Sequence, residues 1–145
     1  MTESKSPLGA ISLAATTLYV RDLDAAVVWY REMLGLEPMV IGRDAHAYAA
    51  YQLGPSILVL EPLEAALEPQ GLGSESTTVN VIVDRDPAQA RDDLLARGVK
   101  CGPMVVSGFH SFLMRDLDGN RFYITKPVTQ ETQEQLQDAV GEAQA

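Results

Sequence analysis

Two histidines, His46 and His110, and one cysteine, Cys101, are the most reactive side chains in this 145-residue sequence. An imidazole moves protons near neutral pH and binds divalent metals. The two histidines stand 64 residues apart, and with no third ligand beside them they make a poor metal site. His46 reads as a strand residue facing solvent or a pocket rim. His110, just after Gly108-Phe109, is a candidate pocket residue able to donate a hydrogen bond or a proton. Cys101 follows Lys100 at a strand start and reads as a small structural residue. A lone cysteine forms no internal disulfide and suits a reducing cytoplasm. Glu61, followed by Pro62, reads as an exposed carboxylate at a strand end. Gly71-Leu72-Gly73-Ser74 has neither the strand-to-helix elbow of a hydrolase nucleophile nor the lysine of a phosphate loop.

The elements that must position these groups repeat. Leu18-Tyr19-Val20-Arg21-Asp22 aligns with Val81-Ile82-Val83-Asp84-Arg85 at an offset of 63, which also carries Gly35 onto Gly98. Gly54 meets Gly119 at an offset of 65. A period of about sixty residues marks a duplicated module rather than a solenoid. Alternation predicts strands over Ser12–Val20, Pro38–Gly42, Ala45–Leu53 and Ser56–Glu61. Apolar residues at three-to-four spacing predict a helix from Leu23 that stops at Gly35. The second copy reads as strand Thr77–Val83, helix Pro87–Arg97, and strands Val99–Val106, Phe109–Arg115 and Asn120–Lys126. A terminal helix is expected over Thr129–Val140. The order βαβββ, twice, predicts an α+β domain over 13–127: module 1 at 13–62, a linker at 63–76 and module 2 at 77–127. Residues 1–12 are expected as an N-terminal tail, and 128–145 as a C-terminal helix and tail. One curved mixed sheet would then enclose a cleft between the two uncovered faces.

Three segments carry a family resemblance: Leu18-Tyr19-Val20-Arg21-Asp22-Leu23, the helix end Trp29-Tyr30-Arg31-Glu32-Met33-Leu34-Gly35-Leu36, and Arg115-Asp116-Leu117-Asp118-Gly119-Asn120-Arg121. In that order and spacing the chain resembles the vicinal oxygen chelate superfamily of glyoxalase I, extradiol dioxygenases and bleomycin-resistance proteins. The family usually has Phe-Tyr in place of Trp29-Tyr30 and Asp-Pro-Asp-Gly in place of Asp116-Leu117-Asp118-Gly119. Trp29 and Tyr30 themselves read as core packing, and Asp118-Gly119 as a hairpin turn. The resemblance implies metal positions on the first and last strand of each module, which here fall on Ala15, Leu58, Thr78 and Tyr123. Divalent ions want imidazole, carboxylate or thiolate. Ala15 and Leu58 offer no donor atom, Thr78 a neutral hydroxyl, and Tyr123 a phenol that ionises only near pH 10. The expectation is no metal and no cofactor.

On the inward face the alternation places Ala15, Thr17 and Tyr19, Leu58 and Leu60, then Thr78, Asn80 and Ile82, and Arg121, Tyr123 and Thr125. Small, apolar and aromatic groups with a few hydrogen-bonding ones make a small-molecule site. Asn80 is one polar anchor; Arg121 either holds a carboxylate or ring in the cleft or faces solvent beyond the hairpin. The expected function is a bleomycin-resistance-like binder of a hydrophobic or aromatic organic molecule. The alternative is a metal-independent lyase, isomerase or dioxygenase-family enzyme with His110 or Tyr123 as acid or base. A third reading leaves the fold a purely assembling role. A net charge of −9 with scattered basic residues speaks against nucleic acid. No apolar run approaches a membrane span, and Met1–Ser6 lacks the pattern of a secretory signal. The resemblance further implies a homodimer.

Overall fold

The computed structural model describes residues 7, 9, 14–43, 47–65 and 77–144. Strand β1 (Thr16–Val20) leads into helix α1 (Leu23–Trp29), which widens into a π-type segment at Tyr30–Leu34. The helix begins where it does because Asp22 Oδ1 accepts a hydrogen bond from the Ala25 amide at 3.0 Å, satisfying a first-turn donor. It ends at Gly35, whose φ of 67° is the left-handed stop that glycine takes without strain. Strands β2 (Val40–Gly42), β3 (Tyr48–Leu53) and β4 (Ser56–Pro62) follow, then a short 3₁₀ turn at Leu63–Ala65.

The second copy runs β5 (Thr78–Ile82), α2 (Pro87–Ala96), β6 (Lys100–Cys101), β7 (Val105–Val106), β8 (Phe109–Arg115) and β9 (Arg121–Pro127), before α3 (Gln130–Gln144). Asp86 caps α2 and Pro87 occupies its first turn, where a missing amide hydrogen costs nothing. The strand expected over Val99–Val106 is broken into β6 and β7. Pro103 cannot donate to a ladder, and Gly102-Pro103-Met104 bridges the gap. Helix α3 continues past the expected Val140. Its first turn is tied to the loop before β8 by Thr132 Oγ1, which donates to the Gly108 carbonyl at 2.8 Å. Among the described residues no helix is long and apolar enough to cross a membrane.

The first sheet has the order β1-β4-β3-β2, the second β5-β9-β8-β6, with β7 also on β8. In each, the first strand lies parallel to the last and the remaining pairs are antiparallel. The α+β class and the doubled βαβββ order are therefore as expected, built as two mixed sheets rather than one. The core lies on the helix-covered sides. Tyr30, Leu60 and Phe112 are fully buried there, with Leu18, Val20, Tyr51, Leu58, Met114 and Phe122 around them in one continuous cluster.

Candidate functional site

Strand pairing decides which residues share the uncovered face, because paired residues lie on the same side of a sheet and neighbours alternate. In module 1, Thr17 pairs with Val59 and Tyr19 with Glu61. In module 2, Asn80 pairs with Tyr123 and Ile82 with Thr125, while Arg121 pairs with Thr78. The intervening residues Leu18, Leu60, Phe122 and Ile124 belong to the buried core. The uncovered faces thus carry Thr17, Tyr19, Val59 and Glu61 from one sheet, and Thr78, Asn80, Ile82, Arg121, Tyr123 and Thr125 from the other. Ala15 stands exposed just ahead of β1.

Leu58 and Leu60 require a correction. They pair with Thr16 and Leu18, are 3% and 0% exposed, and face the helix rather than the open side. The open-face residue equivalent to Tyr123 is Val59, since Val59 opposes Ala50 and Tyr123 opposes Leu113. The error traces to turn length. The first hairpin turns at Gly54-Pro55, between paired Leu53 and Ser56, whereas the second keeps Asp116 bonded to Asn120 around Leu117–Gly119. That second turn is one residue longer, so aligning Gly54 with Gly119 shifts the register by one. Glu61, expected as an exposed strand end, is half-buried on the open face.

His110 pairs with Lys126 and shares its side with Phe112 and Met114, which are core residues. It lies on the opposite face from Tyr123, so the two acid–base candidates do not meet. His46 lies outside the described residues. Cys101 is half-buried and burial pushes its thiol upward, away from reactivity.

The open faces are chemically sparse. Asn80 Oδ1 accepts from Thr125 Oγ1 at 2.8 Å, which fixes the amide beside Tyr123. Tyr123 is 37% exposed and Ile82 45%. At the positions where the resemblance puts metal ligands stand Ala15, Val59, Thr78 and Tyr123: two side chains without donors, a hydroxyl and a phenol. Among the described residues no three His, Cys, Asp or Glu side chains come together in a way that could hold a metal ion.

The two modules join through their helix-covered sides, and the hairpin motif of module 2 supplies the joint. Asp116 is buried and accepts from Tyr30 Oη at 2.7 Å, from the Asp118 and Asn120 amides at 2.8 Å each, and from Asn120 Nδ2 at 2.9 Å. Asn120 Nδ2 also donates to the Tyr19 carbonyl at 3.1 Å, and Asp118 Oδ1 accepts from the Arg21 amide at 3.1 Å. Burial, reinforced by Asp116, lifts the Tyr30 phenol far above its ordinary range. Burial likewise raises Asp118, against the pull of the Arg21 amide. This network fixes β1, with Tyr19, relative to β9, with Arg121 and Tyr123. Turn propensity alone explained Asp118-Gly119; the extra signal was Asp116, a second carboxylate that a surface hairpin does not need.

A model described as the Glyoxalase/Bleomycin resistance protein/Dioxygenase superfamily matches residues 12–124. No curated protein matches the chain by sequence. Among solved structures, a superfamily member from Sphaerobacter thermophilus is 21% identical, with TM-score 0.68, over 80% of this chain and 98% of its own. TnmS3, an antibiotic binding protein from Streptomyces, is 23% identical, with TM-score 0.66, over 82% and 98%. A lactoylglutathione lyase from Agrobacterium tumefaciens is 21% identical, with TM-score 0.62, over 79% and 92%. At such identities these likenesses speak for the fold.

Proposed function

For a chain that belongs to the Glyoxalase/Bleomycin resistance protein/Dioxygenase superfamily, we propose a metal-independent role: binding a hydrophobic or aromatic small molecule against the open sheet faces. The observation that carries this reading is the donor-poor set Ala15, Val59, Thr78 and Tyr123. Such a set cannot supply the imidazole, carboxylate or thiolate ligands a divalent ion needs, whereas apolar surface, a ring and a hydrogen-bonded amide are sufficient for an organic ligand. The similarity to an antibiotic binding protein supports sequestration as the purpose.

The open faces of one chain look outward, so enclosure requires a second copy. In this reading a homodimer sets the open face of module 1 in one protomer against that of module 2 in the other, and the cytoplasm is its setting. The alternative, a metal-free isomerase or lyase, loses His110 to the opposite face and keeps Tyr123 alone of its two candidates.

A thermal-shift screen of aromatic molecules with excess chelator present, followed by product analysis of every hit, tests the proposal. A melting-temperature rise without turnover, diminished in Tyr123→Ala, is expected. Consumption of the bound compound would replace binding by catalysis.

A further inference from the structure

A groove of about 440 Å³ lies on the other side of the sheets from the proposed site, at the seam between the modules. We propose that it is a second binding site, one that takes an uncharged apolar molecule. Its volume falls within the range of small-molecule pockets. Leu34 and Leu58 wall it from module 1, and Val81, Ile124, Ala90 and Leu94 from module 2. Apolar walls of this kind accept apolar guests, because binding takes both surfaces out of water.

Polar bonds between the modules span the seam. Arg97 Nη1 reaches across from the end of α2 and donates to the Glu32 carbonyl at 3.0 Å. Elsewhere along the seam, Tyr30 is fastened to Asp116.

The charges around the groove decide the class of guest. Arg31 pairs with Glu37 at 2.6 Å and Arg85 with Asp93 at 2.7 Å. Arg97 and Glu32, the remaining two, carry opposite formal charges, and Arg97 donates to the Glu32 backbone carbonyl rather than to its carboxylate. The groove therefore offers a charged guest no net counter-charge. A neutral ring system matches this environment; a charged copy of the same rings does not. Because the walls come from both modules, a guest here cross-links them and raises the melting temperature by mass action.

The matched probes are N-phenyl-1-naphthylamine, which is neutral, and 1-anilinonaphthalene-8-sulfonate, the same ring system with a fixed negative charge. Both brighten on leaving water, so fluorescence titration of the full chain reads each affinity. The neutral probe is expected to saturate, to bind at least about tenfold more tightly than the sulfonate, and to weaken by about tenfold in Ala90→Leu. Val83→Phe fills the groove from the end of β5 rather than from α2 and is expected to weaken it likewise, so the test survives if one variant folds poorly. Tyr123→Ala, on the open face, leaves it unchanged. Equal or tighter binding of the sulfonate overturns the inference, as does binding insensitive to both filling variants. Loss of binding in Tyr123→Ala would move the probe to the open face and also overturn it. A change of oligomeric state in Ala90→Leu, read by sedimentation, would make the groove a contact between copies and defeat the proposal.

Discussion

The buried tyrosines Tyr30 and Tyr51 offer one chemical change with two opposite outcomes. Their rings lie 5.6 Å apart in the same core, and both are essentially inaccessible. Tyr30 Oη donates to Asp116 Oδ2 at 2.7 Å, whereas Tyr51 Oη has no hydrogen-bond partner among the described residues. Tyr30→Phe keeps the ring contacts with Tyr51 and Phe122 and deletes only the bond to a buried carboxylate. A hydrogen bond to a charged group contributes about 1.5–3 kcal/mol. Asp116 Oδ2 retains the Asn120 side-chain amide at 2.9 Å, which places the loss toward the lower half, about 2 kcal/mol. For a chain of this size that lowers the melting temperature by roughly 4–8 °C. Tyr51→Phe removes an orphaned buried hydroxyl and is expected to be neutral or stabilising, by up to about 1 kcal/mol. Urea unfolding followed by circular dichroism gives both midpoints. If Tyr51→Phe destabilises as much as Tyr30→Phe, or Tyr30→Phe is silent, the inter-module joint is not what holds this core.

Leu60→Ala should cost about 2–5 kcal/mol, the loss for a fully buried leucine, while Val59→Ala on the open face should leave stability nearly unchanged; equal losses by denaturant titration would reverse the facing of β4. Asp118 is raised by burial, so the folded chain holds its proton more tightly than the unfolded one. Its contribution is then favourable in acid and is lost as the pH climbs through the raised value. Asp118→Asn keeps an acceptor for the Arg21 amide and should be more stable than wild type at pH 7. That advantage should shrink as the pH approaches the ordinary carboxylate range, and an advantage that grows in acid would refute the sign.

The doubled βαβββ order was legible because its cues are local. Asp22 and Asp86 cap, Pro87 starts and Gly35 stops the helices, and alternation marks the strands. The facing of β4 was not legible, because parity depends on whether a turn spends two residues or three. The same parity argument places His110, and only pairing with Lys126 settles it. The joint at Asp116 links residues 86 apart in sequence, beyond any periodicity. Whether the cleft closes within one chain or between two was not legible, because nothing local in the sequence says which faces of the modules meet. The modules meet through Tyr30 and Phe122 on their helix-covered sides, where the larger apolar side chains point. Three of the four positions to which the resemblance points, Ala15, Thr78 and Tyr123, lie on or just ahead of the first and last strands, where alternation and the turn motif were local cues.

Equilibrium dialysis of the purified chain against zinc or manganese, followed by elemental analysis, addresses the donor-poor positions directly. A metal content far below one ion per chain is expected, with no change in melting temperature. One tightly held ion per chain, lost on replacing Tyr123 or Thr78, would contradict it.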